Sequence, residues 1–321
     1  MKRVLFITST RIGDAILSTG VLSWLIDRFP DARFTIACGP VAAPLFSAVP
    51  RLERVIVLTK QSWSRHWLGL WAQCAPHAWQ AVVDLRGSAV AYGLMCGERF
   101  VKRSNVGGMH MVEELARVVG LSEPRAPKLW TAPEHWQQAE SLIARTTPIL
   151  GVGPAANWRG KEWPSHRFGE LVSRLTGPGG ILPGARVALF GAASERRQAE
   201  DIRLAVHHDR LIDLMGRVDL LTAYLCLRRC AFYVGNDSGT MHLAAAAGAP
   251  TLGLFGPSRD EVYGPWGPHC AVVRTPESIE ELTSRPGYDH RTTGTLMGSL
   301  TVDAAASAAH ELWRRCRDRA A

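Results

Sequence analysis

Short apolar runs of five or six residues recur through the first half of the chain: "RVLFIT" (3–8), "RFTIAC" (33–38), "RVIVL" (54–58) and "AVVDL" (81–85). Helix-compatible sequence follows them. In "GDAILSTGVLSWLIDRF", Ile16, Leu17, Val21, Leu22, Leu25 and Ile26 recur at helical spacing. Strands alternating with helices predict βαβ units around a parallel sheet. The stretch "SEPRAPKLWTAPEHW" (122–136) interrupts the rhythm and marks a domain junction, with a helix at about 134–145 leading out of it. The rhythm then restarts with "ILGVG" (149–153), "RVALFG" (186–191), "RLIDLMG" (210–216), "CAFYVGND" (230–237), "TLGLFG" (251–256) and "CAVVR" (270–274). A last helix is expected over 302–319, where basic residues in the final turn suit the helix dipole. The pattern therefore predicts an α/β protein of two Rossmann-like domains, with ligand bound between them at the carboxyl ends of the strands.

Length agrees with two domains, since 321 residues exceed the usual size of one. The opening "MKRVLFITSTRIGD" has the charged start of a signal peptide, but its apolar run is only about five residues, so it reads as a first strand. No apolar run is long enough to cross a membrane, and contact with one is expected only from its surface. Seven scattered cysteines without a CxxC pair read as free thiols in a reducing cytoplasm. The net charge is +8, and residues 1–146 hold 17 Lys and Arg against 11 Asp and Glu, compared with 20 against 18 in the remainder. That excess suits a polyanionic partner of the first half, or simply a solvated surface. Nucleic acid is the least suitable partner, because the eleven tryptophans show no regular interleaving with Lys and Arg.

Candidate chemistry collects just after strands. "VGNDSGTMHLAAAAGAP" (234–250) sets Asn236, Asp237, Ser238, Thr240 and His242 at the mouth of an alanine-rich helix. Ser238 fits an N-cap, Gly239 admits close approach, and free amides at a helix start bind phosphate. Capping alone would need just one of these residues. His242 suits either a structural or a ligand-facing role. Asp14 opens the first helix, where it either complements the dipole or acts as a general base. Arg159 and Lys161 stand in "GVGPAANWRGKEWPSHRF" (151–168), either as solvated cations or against a phosphate. "GVGPAA" matches G-x-G-x-x-A, but Pro154 and the long stretch before the next helix spoil a dinucleotide turn. Glu195 begins a further helix, facing a ribose or complementing the dipole.

Several mechanisms lack their residues. The chain has no GxxxxGK[ST] loop, GxSxG elbow, HExxH, CxxC cluster or D-x-D pair. A departing nucleotide diphosphate would then be stabilised by helix amides and Lys161, without metal.

Taken together, "TRIGDAILSTGVLSWL", "KEWP" and "GRVDLLTAYLCLRRCAFYVGNDSGTMHLAAAAGAPTLGLFGPS" (216–258) resemble glycosyltransferase family 9, the ADP-heptose:lipopolysaccharide heptosyltransferases, over nearly the whole chain. The resemblance implies a GT-B fold, two Rossmann-like domains with parallel sheets facing a central cleft. Its expected divisions are an acceptor-binding domain over 1–145, a nucleotide-sugar-binding domain over 146–302 and a C-terminal helix over 303–321 returning toward the first domain. It implies an inverting, metal-independent transferase on the cytoplasmic face of the inner membrane, with no cofactor beyond an ADP-linked sugar substrate and an anionic glycan or glycolipid acceptor. A monomer is expected.

By the same resemblance Asp14 corresponds to the catalytic base, Lys161 to a phosphate-binding lysine that assists catalysis, and Glu195 to the acid near the ribose. Asp237, Ser238, Gly239, Thr240 and His242 form the donor-binding element, while Arg11 and Gly13 are acceptor-side candidates. The chain departs where some members carry two threonines before the lysine loop: it has Ala156 and Asn157, leaving an amide as the donor contact. "SRPGYDHRTTG" (284–294) also lacks the cysteine pattern of some second-heptose enzymes. A nucleotide-sugar epimerase or hydrolase, and a non-catalytic binder of nucleotide sugars, are the rival readings.

Overall fold

The computed structural model describes residues 2–103, 107–144, 146–284, 287–289 and 291–319. They form two compact units, Met1–Ala132 and Pro133–Ala321. The first contains β1 (Arg3–Ile7), α1 (Ile12–Arg28), β2 (Arg33–Cys38), β3 (Leu52–Val57), α2 (Arg65–Cys74), β4 (Trp79–Asp84), β5 (Cys96–Val101) and α3 (Met111–Val118). Its five strands are all parallel, in the order β3-β2-β1-β4-β5. The strand order reverses between β1 and β4, where Ile7 lies beside Asp84. Val4 to Ile7 are fully buried, as expected of a central parallel strand covered on both faces.

β5 and α3 were not apparent in the apolar pattern. β5 reads CGERFV because it is an edge strand: Glu98 pairs with Arg28 at 3.0 Å, and Arg99 donates to the carbonyls of Ala91 and Leu94.

The second unit contains α4 (Pro133–Leu142), β6 (Ile149–Gly153), α5 (Ser165–Thr176), β7 (Arg186–Leu189), α6 (Glu200–Ala205), β8 (Leu211–Asp213), α7 (Leu220–Leu227), β9 (Phe232–Asn236), α8 (Gly239–Ala246), β10 (Thr251–Phe255), α9 (Asp260–Tyr263), β11 (Cys270–Arg274), α10 (Ile279–Thr283) and α11 (Val302–Asp318). Its parallel sheet has the order β11-β10-β9-β6-β7-β8, reversing between β6 and β9. The six strands expected in this half are all present, and the core lies between the sheet and its helices.

The division at Ala132/Pro133 falls inside the junction expected at 122–136 and precedes the domain bound of 145/146. α4 packs along α7, Thr222 Oγ1 donates to Gln138 Oε1 at 3.0 Å, and Arg229 Nε donates to the Ile143 carbonyl at 2.6 Å. These bonds fix α4 within the second unit, while Arg145 itself lies outside the described residues. The segment expected as a separate piece over 303–321 belongs to the same unit. Its helix α11 buries Val302, Ala305, Ala309 and Leu312 in that core, against α5, β10 and β11.

Candidate active site

In the second unit polar residues gather at the β6/β9 reversal, the position where open α/β sheets leave a crevice. Asn236, the last residue of β9, is fully buried. Its Nδ2 donates to the Pro154 carbonyl at 2.7 Å, and its Oδ1 accepts from the Trp163 amide at 3.1 Å. One amide side chain thus pins both ends of the loop that follows β6. Trp163 is itself buried, packs edge-on against Phe168 and donates through Nε1 to the Leu300 carbonyl at 2.9 Å. Lys161, in the short turn Arg159–Lys161 inside that loop, reaches Asp237 Oδ2 at 2.5 Å.

Asp237 is buried and its amide donates to the Leu254 carbonyl at 3.2 Å, continuing the β9–β10 ladder to the sheet edge. Ser238 is the N-cap of α8, accepting from the Met241 amide at a long 3.5 Å. Gly239 and Thr240 form the half-buried first turn, and His242 is buried on the same short helix. Lysine ammonium, aspartate and helix start are therefore joined, an arrangement that can receive an anion.

The glycines of "GVG" and "VGND" have a packing cause. Gly153 and Gly235 lie side by side in β6 and β9, and a Cβ on either would overlap the buried hydroxyl of Tyr233. Gly151 and Gly153 lie inside a strand, so they form no dinucleotide-binding turn.

Asn157 is exposed on the lysine loop. Glu195 stands in the first turn after Ala192, where its Oε2 accepts the Ala192 amide at 2.7 Å, so a capping contact occupies part of its carboxylate. Glu162 lies in KEWP, where the resemblance gives it no role. Burial holds its carboxyl above the ordinary range, against the lowering effect of a 3.2 Å hydrogen bond from Gln198.

In the first unit Asp14 lies in the opening turn of α1, half-buried, and accepts from the Ser9 hydroxyl at 3.3 Å. The Arg11 amide donates to the same Ser9 oxygen, while the Arg11 side chain is exposed and gives no cap; Gly13 is half-buried. A 2.7 Å hydrogen bond between the Thr8 and Ser18 hydroxyls ties the end of β1 to α1 beneath this turn. Asp84, across the β1/β4 reversal, is fully buried. Burial raises its pKa, and its oxygens are engaged by the Arg86 and Ser88 amides and the Ser88 hydroxyl, so it closes its own turn.

The seven cysteines are free thiols, and burial pushes those of Cys38 and Cys226 up to about 12. Among the described residues, the one group of metal-ligating side chains close enough to share an ion is the exposed His207, His208 and Asp209, which includes none of the candidate site residues. No helix among the described residues is long and apolar enough to cross a membrane. Arg285, Pro286 and His290 of the "SRPGYDHRTTG" stretch lie outside the described residues.

Two parallel Rossmann-like units, each with its candidate polar groups beside the strand-order reversal, are the architecture of the GT-B class, and the family match below makes the protein a glycosyltransferase. The description of glycosyltransferase family 9 (heptosyltransferase) matches residues 90–286, and the chain belongs to that family. It is 32% identical over 159 residues to lipooligosaccharide heptosyltransferase 2 of Haemophilus influenzae, a match spanning 46% of this chain and 44% of that protein. Similarity to lipopolysaccharide heptosyltransferase 2 of Salmonella typhimurium is 24% over 319 residues, covering 85% of this chain and 88% of the other. The solved structure of the E. coli ADP-heptose lps heptosyltransferase II superposes with a TM-score of 0.72 at 21% identity, over 99% of this chain and 100% of that one.

Proposed function

We propose that this glycosyltransferase moves a heptose from ADP-heptose onto an anionic saccharide acceptor of the lipopolysaccharide inner-core type, with inversion and without metal. The observation that carries the reading is the Lys161–Asp237 pair beside the start of α8. It brings an ammonium group beside helix amides, the kinds of donor a departing diphosphate needs. Relatives named as heptosyltransferases, one of them for ADP-heptose, support the choice of donor.

In the proposed reaction Asp14 takes the proton of an acceptor hydroxyl, and that oxygen attacks the anomeric carbon from the face opposite the nucleotide. The new C–O bond forms as the bond from the anomeric carbon to the phosphate oxygen breaks, through an oxocarbenium-like state. The bonding pair leaves with ADP. One ammonium N–H of Lys161 serves Asp237, and the other two remain for phosphate oxygens. The first amides of α8 complete the anion site, each preorganised donor contributing roughly 3 kcal/mol in a dry site. Asp237 orients donor sugar hydroxyls, Asn157 and Thr240 contact the donor, and Glu195 uses its remaining capacity for the ribose. Arg11 and Gly13 face the acceptor. The enzyme works as a monomer, peripherally on the cytoplasmic face of the inner membrane.

Thermal shift with ADP, UDP and GDP, followed by mass spectrometry of ADP-heptose with and without acceptor, tests this reading. The expected results are preferential stabilisation by ADP and a heptosylated acceptor. Preference for UDP or GDP would overturn the donor, and rapid donor turnover without acceptor would favour an epimerase or hydrolase.

A further inference from the structure

The first unit bears an exposed apolar face that the reaction just described does not use. It comprises α2, the residues that lead into it and the turn Ala89–Gly93, which packs against α2. Trp63 is 95% exposed, Leu68 68% and Met95 75%, with Tyr92 and Trp71 also exposed. Trp63 and Ser64 both hold a φ of +56°, a left-handed conformation that is uncommon for a residue other than glycine and rarer for a bulky one. Leu68 and Trp71 are three residues apart and share a helix face. The Trp71 indole donates to the Gly93 carbonyl at 3.0 Å, which joins α2 to the turn carrying Tyr92.

Cations predominate around this face. Residues 53–99 hold Arg54, Lys60, Arg65, Arg86 and Arg99 against Glu53, Asp84 and Glu98; Asp84 is buried, while Glu53 and Glu98 are paired with Arg3 and Arg28. Arg86 lies 5.8 Å from the Trp67 ring and Arg99 6.0 Å from the Tyr92 ring, so cations border the aromatic groups. Tryptophan and tyrosine settle at the headgroup level of a bilayer, leucine and methionine enter the acyl boundary, and lysine and arginine meet anionic headgroups. Nucleic acid would stack on the aromatics but would gain little from Leu68 and Met95.

We propose that the face formed by Trp63, Leu68, Trp71, Tyr92 and Met95 docks the enzyme on an anionic lipid bilayer. The proposal deepens the peripheral-membrane part of the preceding reading and needs neither donor nor acceptor to operate. Docking would leave the enzyme at the surface that carries a lipid-linked acceptor.

The test is co-sedimentation of the full chain with phosphatidylglycerol/phosphatidylethanolamine vesicles and with phosphatidylcholine vesicles, with tryptophan emission recorded. Binding to the anionic vesicles, a blue shift and weakening by salt are expected. The double variant Trp63→Ser, Leu68→Ser should partition at least tenfold less while keeping its melting temperature and its activity on a detergent-dispersed acceptor. Equal binding by that variant, equal binding to phosphatidylcholine, or self-association without vesicle binding would overturn the proposal. Vesicle binding by a protein that transfers no sugar would uphold the docking face and refute the proposed reaction; transfer without vesicle binding would do the reverse.

Discussion

The ammonium of Lys161 lies 2.5 Å from the Asp237 carboxylate, although 76 residues separate them in the chain. Both are largely shielded from water, so each is the other's main compensation for lost hydration. Lys161→Ala is expected to weaken ADP binding and turnover together, and to destabilise the fold by about 3 kcal/mol by leaving Asp237 buried alone. The double variant Lys161→Ala, Asp237→Ala should lose less stability than the sum of the single changes. Denaturant melts of all four proteins measure the coupling, and strict additivity would show that the pair is not energetically linked.

Asn236 positions that lysine without contacting it. Asn236→Ala leaves the Pro154 carbonyl and the Trp163 amide without their partner, at a cost of about 2 kcal/mol or more. It should also raise KM for the donor, because the loop is released at both ends. A lowered melting temperature with unchanged donor KM would mean that the loop is held by other contacts.

Asp14 accepts a hydrogen bond from the Ser9 hydroxyl at the opening of α1. Asp14→Ala should cut turnover by about two orders of magnitude and leave ADP affinity close to wild type, as expected for loss of a general base. Ser9→Ala should have a smaller effect in the same direction. Full activity in Asp14→Ala would remove the base assignment and leave only the dipole role.

Glu162 gives the fold a pH dependence of known sign. Its folded pKa lies above its ordinary value of 4.5 because burial disfavours the carboxylate. The folded chain therefore binds the proton more tightly than the unfolded chain. Stability contributed by this group is present below about 4.5 and is lost as pH rises through the raised folded value. Glu162→Gln should flatten this slope and raise the melting temperature near neutral pH, with little change in acid. Melting curves across the acidic-to-neutral range check it, and a parallel slope in the variant would assign the dependence to another group.

Tyr233 and the paired glycines make a packing prediction. Gly153→Ala places a methyl group on the Tyr233 hydroxyl and should cost roughly 1–3 kcal/mol through overpacking. Tyr233→Phe in the same chain should recover part of that loss. Failure to recover any would place the strain in the β6 backbone.

Much of the fold could be read from the residues in order. Buried parallel strands need nearly continuous apolar runs, so ILGVG and TLGLF were legible as strands, and α1 was legible from the helical spacing of its apolar residues. β5 was not, because an edge strand can satisfy Glu98 and Arg99 outside the core. The junction at 122–136 was legible and holds the division at Ala132/Pro133, but the side to which α4 belongs was not, because its helical character does not reveal its packing partner, which is α7.

The sequence by itself determined which residue types follow each strand: Asp14 after β1, Lys161 after β6 and Asp237 after β9. It also supplied the order of motifs that marks family 9. Only the tertiary structure decided that Lys161 meets Asp237, that Asn236 and Trp163 hold the loop between them, and that Gly153 and Gly235 make room for a phenol. Those relationships are distances between residues far apart in the chain. They are set by strand order and burial, which local periodicity does not encode.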